Sequence, residues 1–215
     1  MSKILVIAKP DLVIRRGPGA KMLREFFAFM KSRVVASNKV KIGEELAKEH
    51  YVHLKDKPFF RWIISYITSY DAFVFVVESE VQVEKTREIL GNTFVEKANE
   101  NSLRGKYGLT AGMNGLHVSE SQEMADREIR LWEEHGVLHE GVLNFNAEEY
   151  ITKYADGMDN TQEIHRILRD VKGKESVDST ATMALHDKIK EEANDISRDV
   201  LERFYGIFLE TLKER

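Results

Sequence analysis

Residues 71–78 constrain this chain more than any other stretch. Between Asp71 and Glu78 runs Ala72-Phe73-Val74-Phe75-Val76-Val77, which holds no polar side chain, glycine or proline and is rich in β-branched and aromatic residues. A run so short and so apolar is a buried strand, and a buried strand needs partner strands and a cover. Residues 3–8 supply another short apolar strand, ending at Lys9-Pro10-Asp11. Gly17-Pro18-Gly19 reads as a turn. From Ala20 a helical spacing follows in Met22, Leu23, Phe26, Phe27 and Met30. Residues 33–40 are β-prone, 44–53 form a short helix, and Pro58 heads a further helix to about residue 68. After the buried strand come a helix at 81–90 stopped by Gly91, a polar loop at 92–110, a strand at 113–118 and a helix at about 121–134. The order is βαββαβ, an α+β arrangement that folds as an antiparallel four-stranded sheet with helices on one face.

Composition narrows the class. The chain has 215 residues, enough for one good core plus an appendage, and its balance of 42% hydrophobic and 32% charged residues is that of a globular protein. It has no cysteine, which excludes a disulfide scaffold and any thiolate chemistry and suits a cytoplasmic protein. No apolar run reaches the length of a membrane span, and residues 1–10 read as a first strand rather than a leader peptide. The net charge of −4 is unevenly spread. Residues 136–215 hold 11 Lys+Arg against 17 Asp+Glu, leaving 1–135 slightly basic with 21 against 19. That front half suits a small anionic ligand and is too weakly basic to argue for nucleic acid.

Beyond Trp132 the character changes, which divides the chain into 1–135 and a helical extension, 136–215. A glycine-containing connector at 135–146 leads to short helices at 147–156 and 160–171. Residues 172–180 read as a flexible segment. The last element, about 181–213, reads as one long amphipathic helix, with Leu185, Ile189, Ala193, Ile196, Val200, Phe204 and Ile207 recurring every three or four residues. Such a stripe docks on its own subunit, a neighbouring subunit or a separate partner.

Chemistry points to His117, in Asn114-Gly115-Leu116-His117-Val118-Ser119-Glu120-Ser121. Histidine is largely a neutral nucleophile near pH 7, although one histidine among seven is by itself an ordinary side chain. Lys9, Tyr51, Phe59, Arg87, Thr93 and Arg104 are equally ordinary singly. There is no GxxxxGK[ST] or GxGxxG loop, so an anionic ligand such as a nucleotide would be held by side chains.

In order, these stretches resemble the nucleoside diphosphate kinase family. The matching runs are Leu5-Val6-Ile7-Ala8-Lys9-Pro10-Asp11, Glu44-Glu45-Leu46-Ala47-Lys48-Glu49-His50-Tyr51 with Leu54-Lys55-Asp56-Lys57-Pro58-Phe59-Phe60, Leu90-Gly91-Asn92-Thr93, Leu103-Arg104-Gly105, Asn114-Gly115-Leu116-His117, and Ala125-Asp126-Arg127-Glu128-Ile129-Arg130-Leu131-Trp132. They span about residues 3–134. The resemblance implies a ferredoxin-like core and a ping-pong reaction, in which a nucleoside triphosphate passes its γ-phosphoryl group to His117 and a nucleoside diphosphate takes it away. It implies phosphate contacts from Lys9, Arg87 and Arg104, hydroxyl contacts from Tyr51 and Thr93, a sugar contact from Asn114, and base stacking on Phe59. Stacking of that kind tolerates any base. It further implies that Glu128 and Ser119 orient His117, that Nδ1 is the phosphorylated nitrogen, that Mg²⁺ arrives on the nucleotide phosphates without a protein cage, and that the protein is a homo-oligomer. For Glu128 to reach Ser119, the chain must turn before the helix starts, since an unbroken helix would put them roughly 13 Å apart.

The chain departs from the family in four places. Leu12 stands where the family has glycine after Lys-Pro-Asp, Val118 follows the histidine in place of glycine, and the segment before Glu44 is about two residues longer. Residues 92–104 lack both family prolines. That loop contributes to the family's trimer-type contacts, so its changes put the family's usual hexamer in question. Every side chain the family uses for chemistry is present, which favours an active kinase over two alternatives. One is a nucleotide-binding regulatory protein with a partner-binding tail, and the other is a kinase restricted to certain nucleotides.

Overall fold

The computed structural model describes residues 1–171, 178–193 and 195–213. Its strands are β1 (Ser2–Ala8), β2 (Arg33–Lys41), β3 (Asp71–Ser79) and β4 (Leu116–Val118). They form one antiparallel sheet in the order β2-β3-β1-β4, the ferredoxin-like arrangement. In its register Val6 faces Phe75 and Ile7 faces His117. The expected helix cover on one face is corrected, because both faces are covered. Ile4, Val6, Ala8, Phe73, Phe75 and Val77 pack on α2 (Arg16–Met30) through Met22, Leu23 and Phe26. Leu5, Ile7, Val74 and Val76 face α3 (Glu44–His50), α4 (Phe60–Ile67) and α7 (Gln122–Glu134) through Leu46, Ala47, Ile64, Ile67 and Trp132. The unbroken apolar run of β3 has this cause. A strand with one wet face alternates, and one covered on both faces does not.

Gly17-Pro18-Gly19 is not a turn. A short α1 (Pro10–Ile14) ends at Arg15, and the three residues form the first turn of α2. Proline is tolerated there because a first-turn N–H has no helical acceptor. The glycines answer to close packing. A Cβ on Gly17 would lie 2.1 Å from the Met158 carbonyl oxygen, and one on Gly19 would lie 2.1 Å from that of Leu12.

Other boundaries shift. The 44–53 helix stops at His50 and continues as a 3₁₀ turn, Val52–Leu54. The 81–90 helix becomes a 3₁₀ turn followed by α5 (Thr86–Leu90). The 92–110 loop contains α6 (Leu103–Tyr107). The last strand shortens to Leu116–Val118 because Met113 and Asn114 bond to loop residues instead: the Met113 carbonyl accepts from Leu109, and the Asn114 amide donates to Thr93 and Ala111.

In the extension, α8 (Ala147–Tyr154) sets Tyr150 into the core beside α2. Beyond α9 (Thr161–Val171), most of the expected flexible segment, 172–177, lies outside the described residues, and Asp178 already caps the next helix. The single helix expected over 181–213 is two, α10 (Ser179–Glu192) and α11 (Arg198–Lys213). Asp195 and Ser197, whose side chains compete with the helix for backbone partners, sit in the break. The Tyr205 hydroxyl donates to the Thr182 carbonyl and His186 meets Glu202, so the two helices fold back on each other. Their stripe docks on the same subunit, where Leu185, Ile189, Phe204 and Phe208 bury Ile14, Tyr66, Leu109 and Met113. Trp62 stacks on Tyr66 and donates to the Ile207 carbonyl at 3.3 Å. No helix among the described residues is long and apolar enough to cross a membrane.

Candidate active site

His117 sits at the middle of β4, with its side chain 17% exposed. The chain turns at Ser119–Ser121, and the Ser121 hydroxyl caps α7 by accepting from the Met124 N–H. That turn swings Glu128, inside α7, back over the strand end. Its Oε2 accepts from the Ser119 hydroxyl at 2.6 Å and lies 3.2 Å from His117 Nε2. Glu128 is almost wholly buried. Burial works to raise its pKa, but His117 and the Ser119 hydroxyl outweigh burial and hold it near 2. An ionised Glu128 selects the His117 tautomer that carries its proton on Nε2. In that tautomer Nδ1 keeps its lone pair, which is what a nitrogen nucleophile requires.

A cationic group built from several elements stands near this histidine. Lys9 follows β1, and its ammonium donates to the Gly112 carbonyl at 3.0 Å and to Asn114 Oδ1. Burial, assisted by the charge of Arg104 and opposed by Asp11, lowers its pKa to about 8. Arg104 on α6 donates to the carbonyls of Gly91 and Leu116 and to the Thr93 hydroxyl, while its Nε–H is buried without a partner. Burial and neighbouring Arg87 lower its pKa to about 10. Asn114 ties Thr93 to Lys9 through its two amide atoms. Arg87 is exposed and paired with Glu120 at 2.6 Å. Tyr51 is buried with its ring 6.3 Å from that of His117. Phe59, at the start of α4, is 41% exposed, which leaves an aromatic face open.

The structure thus brings His117, Glu128, Ser119 and Tyr51 together, and links Lys9, Asn114, Thr93 and Arg104 in one network. Arg87 joins them through its charge on Arg104, and no described hydrogen bond ties Phe59 to the rest. Sequence reasoning missed the supports. Asp11 accepts from the Tyr66 hydroxyl and from the Gly115 N–H at 3.0 Å, fixing the turn before His117. His50 lies beside His117, and Glu120 holds Arg87. Asp11 and His50 stood inside the quoted motifs, but their partners are 55 or more residues away in sequence, so no local signal marked them.

Among the described residues, the one group of three or more metal-capable side chains is His50, His117 and Glu128. Two imidazoles and a carboxylate already engaged by Ser119 are a poor set for Mg²⁺, which prefers oxygen ligands in octahedral geometry. This group is therefore not a Mg²⁺ cage.

A ferredoxin-like sheet that carries a carboxylate-oriented histidine beside a cationic cluster defines a group-transfer enzyme with an anionic substrate. The nucleoside diphosphate kinase family model matches residues 2–136, and the chain belongs to that family. A Methanosphaera stadtmanae nucleoside diphosphate kinase is 39% identical over 130 residues, covering 60% of this chain and 84% of its own length. One from Staphylococcus aureus is 38% identical over 159 residues, covering 74% and 97%. Among solved structures, the Halobacterium salinarum enzyme in complex with CDP superposes with a TM-score of 0.57 at 31% identity, covering 69% of this chain and 97% of its own. The Encephalitozoon cuniculi enzyme gives 0.57 at 30%, covering 61% and 88%.

Proposed function

We propose that the chain transfers the γ-phosphoryl group of a nucleoside triphosphate to a nucleoside diphosphate through a phosphohistidine at His117, as a nucleoside diphosphate kinase. The observation that carries this reading is the Ser119–Glu128–His117 chain of contacts, which leaves Nδ1 as the free nitrogen. In the first half-reaction the Nδ1–P bond forms as the bond from the γ-phosphorus to the bridging oxygen breaks, and the diphosphate leaves. The second half-reaction reverses these changes on the incoming diphosphate. Phosphoryl transfer develops charge on the equatorial and leaving oxygens, so positioning and cation placement do most of the catalytic work. Lys9 and Arg104 sit where burial strengthens their fields, and the Arg104 Nε–H is buried without a protein partner. Arg87, Thr93 and Tyr51 complete the phosphate contacts, Asn114 reads the sugar hydroxyl, and Phe59 stacks on the base.

Mg²⁺ carried on the nucleotide phosphates would neutralise charge there. Residues 1–135 act as the catalytic unit and 136–215 as an extension bracing it. The protein works as a homo-oligomer in the cytoplasm, where nucleoside triphosphates are made and spent. The test is His117→Ala: transfer from ATP to GDP is abolished while ADP affinity stays within a few-fold. Retained transfer, or lost binding, would refute the role given to His117.

A further inference from the structure

His50 is buried to 1% exposure beside the nucleophile and is unused in the reaction described above. Its ring centroid lies 4.5 Å from that of His117, edge to face, and 4.7 Å from that of Tyr51. On the other side, Trp132 Nε1–H donates to His50 Nδ1 at 3.2 Å. An indole nitrogen can only donate, so Nδ1 must hold the lone pair and Nε2 the proton. Burial, followed by the influence of His117, lowers the His50 pKa to about 3, so the ring stays neutral. Its Nε2 is buried with no hydrogen-bond partner in the protein.

The tautomer decides what this nitrogen can do. Because Trp132 occupies Nδ1, Nε2 has no lone pair to offer, and His50 cannot complete a metal site with His117 and Glu128 despite their closeness. What remains is a fixed, neutral N–H donor next to His117. An orphaned buried donor is costly and calls for an explanation. The aromatic faces around it offer only weak acceptors. The two imidazole centroids are 4.5 Å apart, so a phosphoryl group on His117 would add charged oxygens in the neighbourhood of this donor.

We infer that His50 is a positioning residue for the phosphohistidine state: its Nε2–H, kept protonated by the Trp132 bond to Nδ1, gains a phosphoryl oxygen as acceptor when His117 is phosphorylated. The inference rests on the phosphohistidine reading proposed above. His50 neither gains nor loses a proton; it stabilises the intermediate relative to the free enzyme.

Two substitutions separate this role from a structural one. In His50→Asn the side-chain oxygen can still accept from Trp132, but nothing donates from the Nε2 position. In His50→Gln the amide can donate near that position, while Trp132 loses its acceptor. The enzyme is held with labelled ATP and ADP at fixed ratio, and the fraction carrying acid-labile phosphate is read. The ratio of phosphorylated to free enzyme should fall roughly tenfold in His50→Asn, as expected for loss of a hydrogen bond to a charged group. It should stay within about threefold of wild type in His50→Gln, with ADP affinity unchanged in both. A wild-type ratio in His50→Asn, or a larger loss in His50→Gln than in His50→Asn, overturns the role. A second measurement needs no variant. The His50 Nε2–H proton resonance in ¹⁵N-histidine-labelled wild type should move downfield on phosphorylation, and an unmoved resonance overturns the inference. Wild type that takes no label at all removes the phosphohistidine reading itself, whereas label without these differences removes only His50.

Discussion

Replacing Glu192 by alanine should be among the most damaging single changes outside the active site. Arg15 and Glu192 are both fully buried, at the junction of α1 and α2 and at the end of α10. Arg15 Nε donates to one Glu192 oxygen at 2.5 Å and Nη2 to the other at 3.2 Å, with further bonds to the Thr161 hydroxyl at 2.6 Å and the Tyr107 carbonyl at 2.9 Å. Glu192 also accepts from the Asn160 N–H at 2.5 Å. The Ala variant leaves a buried guanidinium with two neutral acceptors and orphans an amide. Breaking one side of a buried pair costs about 3–5 kcal/mol, chiefly because the other charge stays buried without compensation. Urea unfolding followed by circular dichroism should show a loss of that size, as a lower midpoint at unchanged slope. Removing both charges together, with Arg15→Met and Glu192→Leu, should recover most of the loss, since the cost lies in the stranded charge. A loss under about 1 kcal/mol in Glu192→Ala would refute the reasoning, because that is the scale of an exposed pair.

Three further outcomes follow from the site. The Lys9 pKa is lowered to about 8, so in the free enzyme its charge is present below that pH and lost above it; kcat/KM should fall as pH rises through about 8, and a flat profile to pH 9.5 would contradict the assignment. Glu128→Gln keeps the shape but removes the charge that selects the His117 tautomer, and should lower kcat by about a hundredfold with KM little changed; an unchanged kcat would remove its orienting role. Phe59→Ala should weaken nucleotide binding by about 1–3 kcal/mol and by similar amounts for purine and pyrimidine diphosphates, read by calorimetry. A loss confined to one base would replace stacking with specific recognition.

Much of residues 1–135 was legible because its signals are local. The apolar run of β3, the spacing in α2 and the ordered motif residues each announce themselves within a short window, and together they pointed to the sheet and to His117 as the candidate nucleophile. The glycines at 17 and 19 misled because their cause is not local. A turn and a close helix contact ask for the same residue, and only the Met158 and Leu12 carbonyls distinguish them. The extension misled differently. Its apolar stripe keeps phase across the break at 193–197, so periodicity could not separate one long helix from two antiparallel ones. His50 and Asp11 were hidden by distance, since what makes them special is Trp132 and Tyr66, far along the chain. Burial of both sheet faces was foreshadowed by the lack of alternation in residues 72–77, a cue that points to two covers.

The most direct test of the central claim is to find the phosphate. The protein is incubated with ATP and Mg²⁺, separated from nucleotide, and examined by mass spectrometry and ³¹P NMR, then exposed to GDP. A single acid-labile phosphate on His117, attached through Nδ1 and discharged to give GTP, is the predicted result. A phosphate on Nε2, on another residue, or one that GDP does not remove would contradict the account, because the Ser119–Glu128–His117 geometry leaves only Nδ1 free to react.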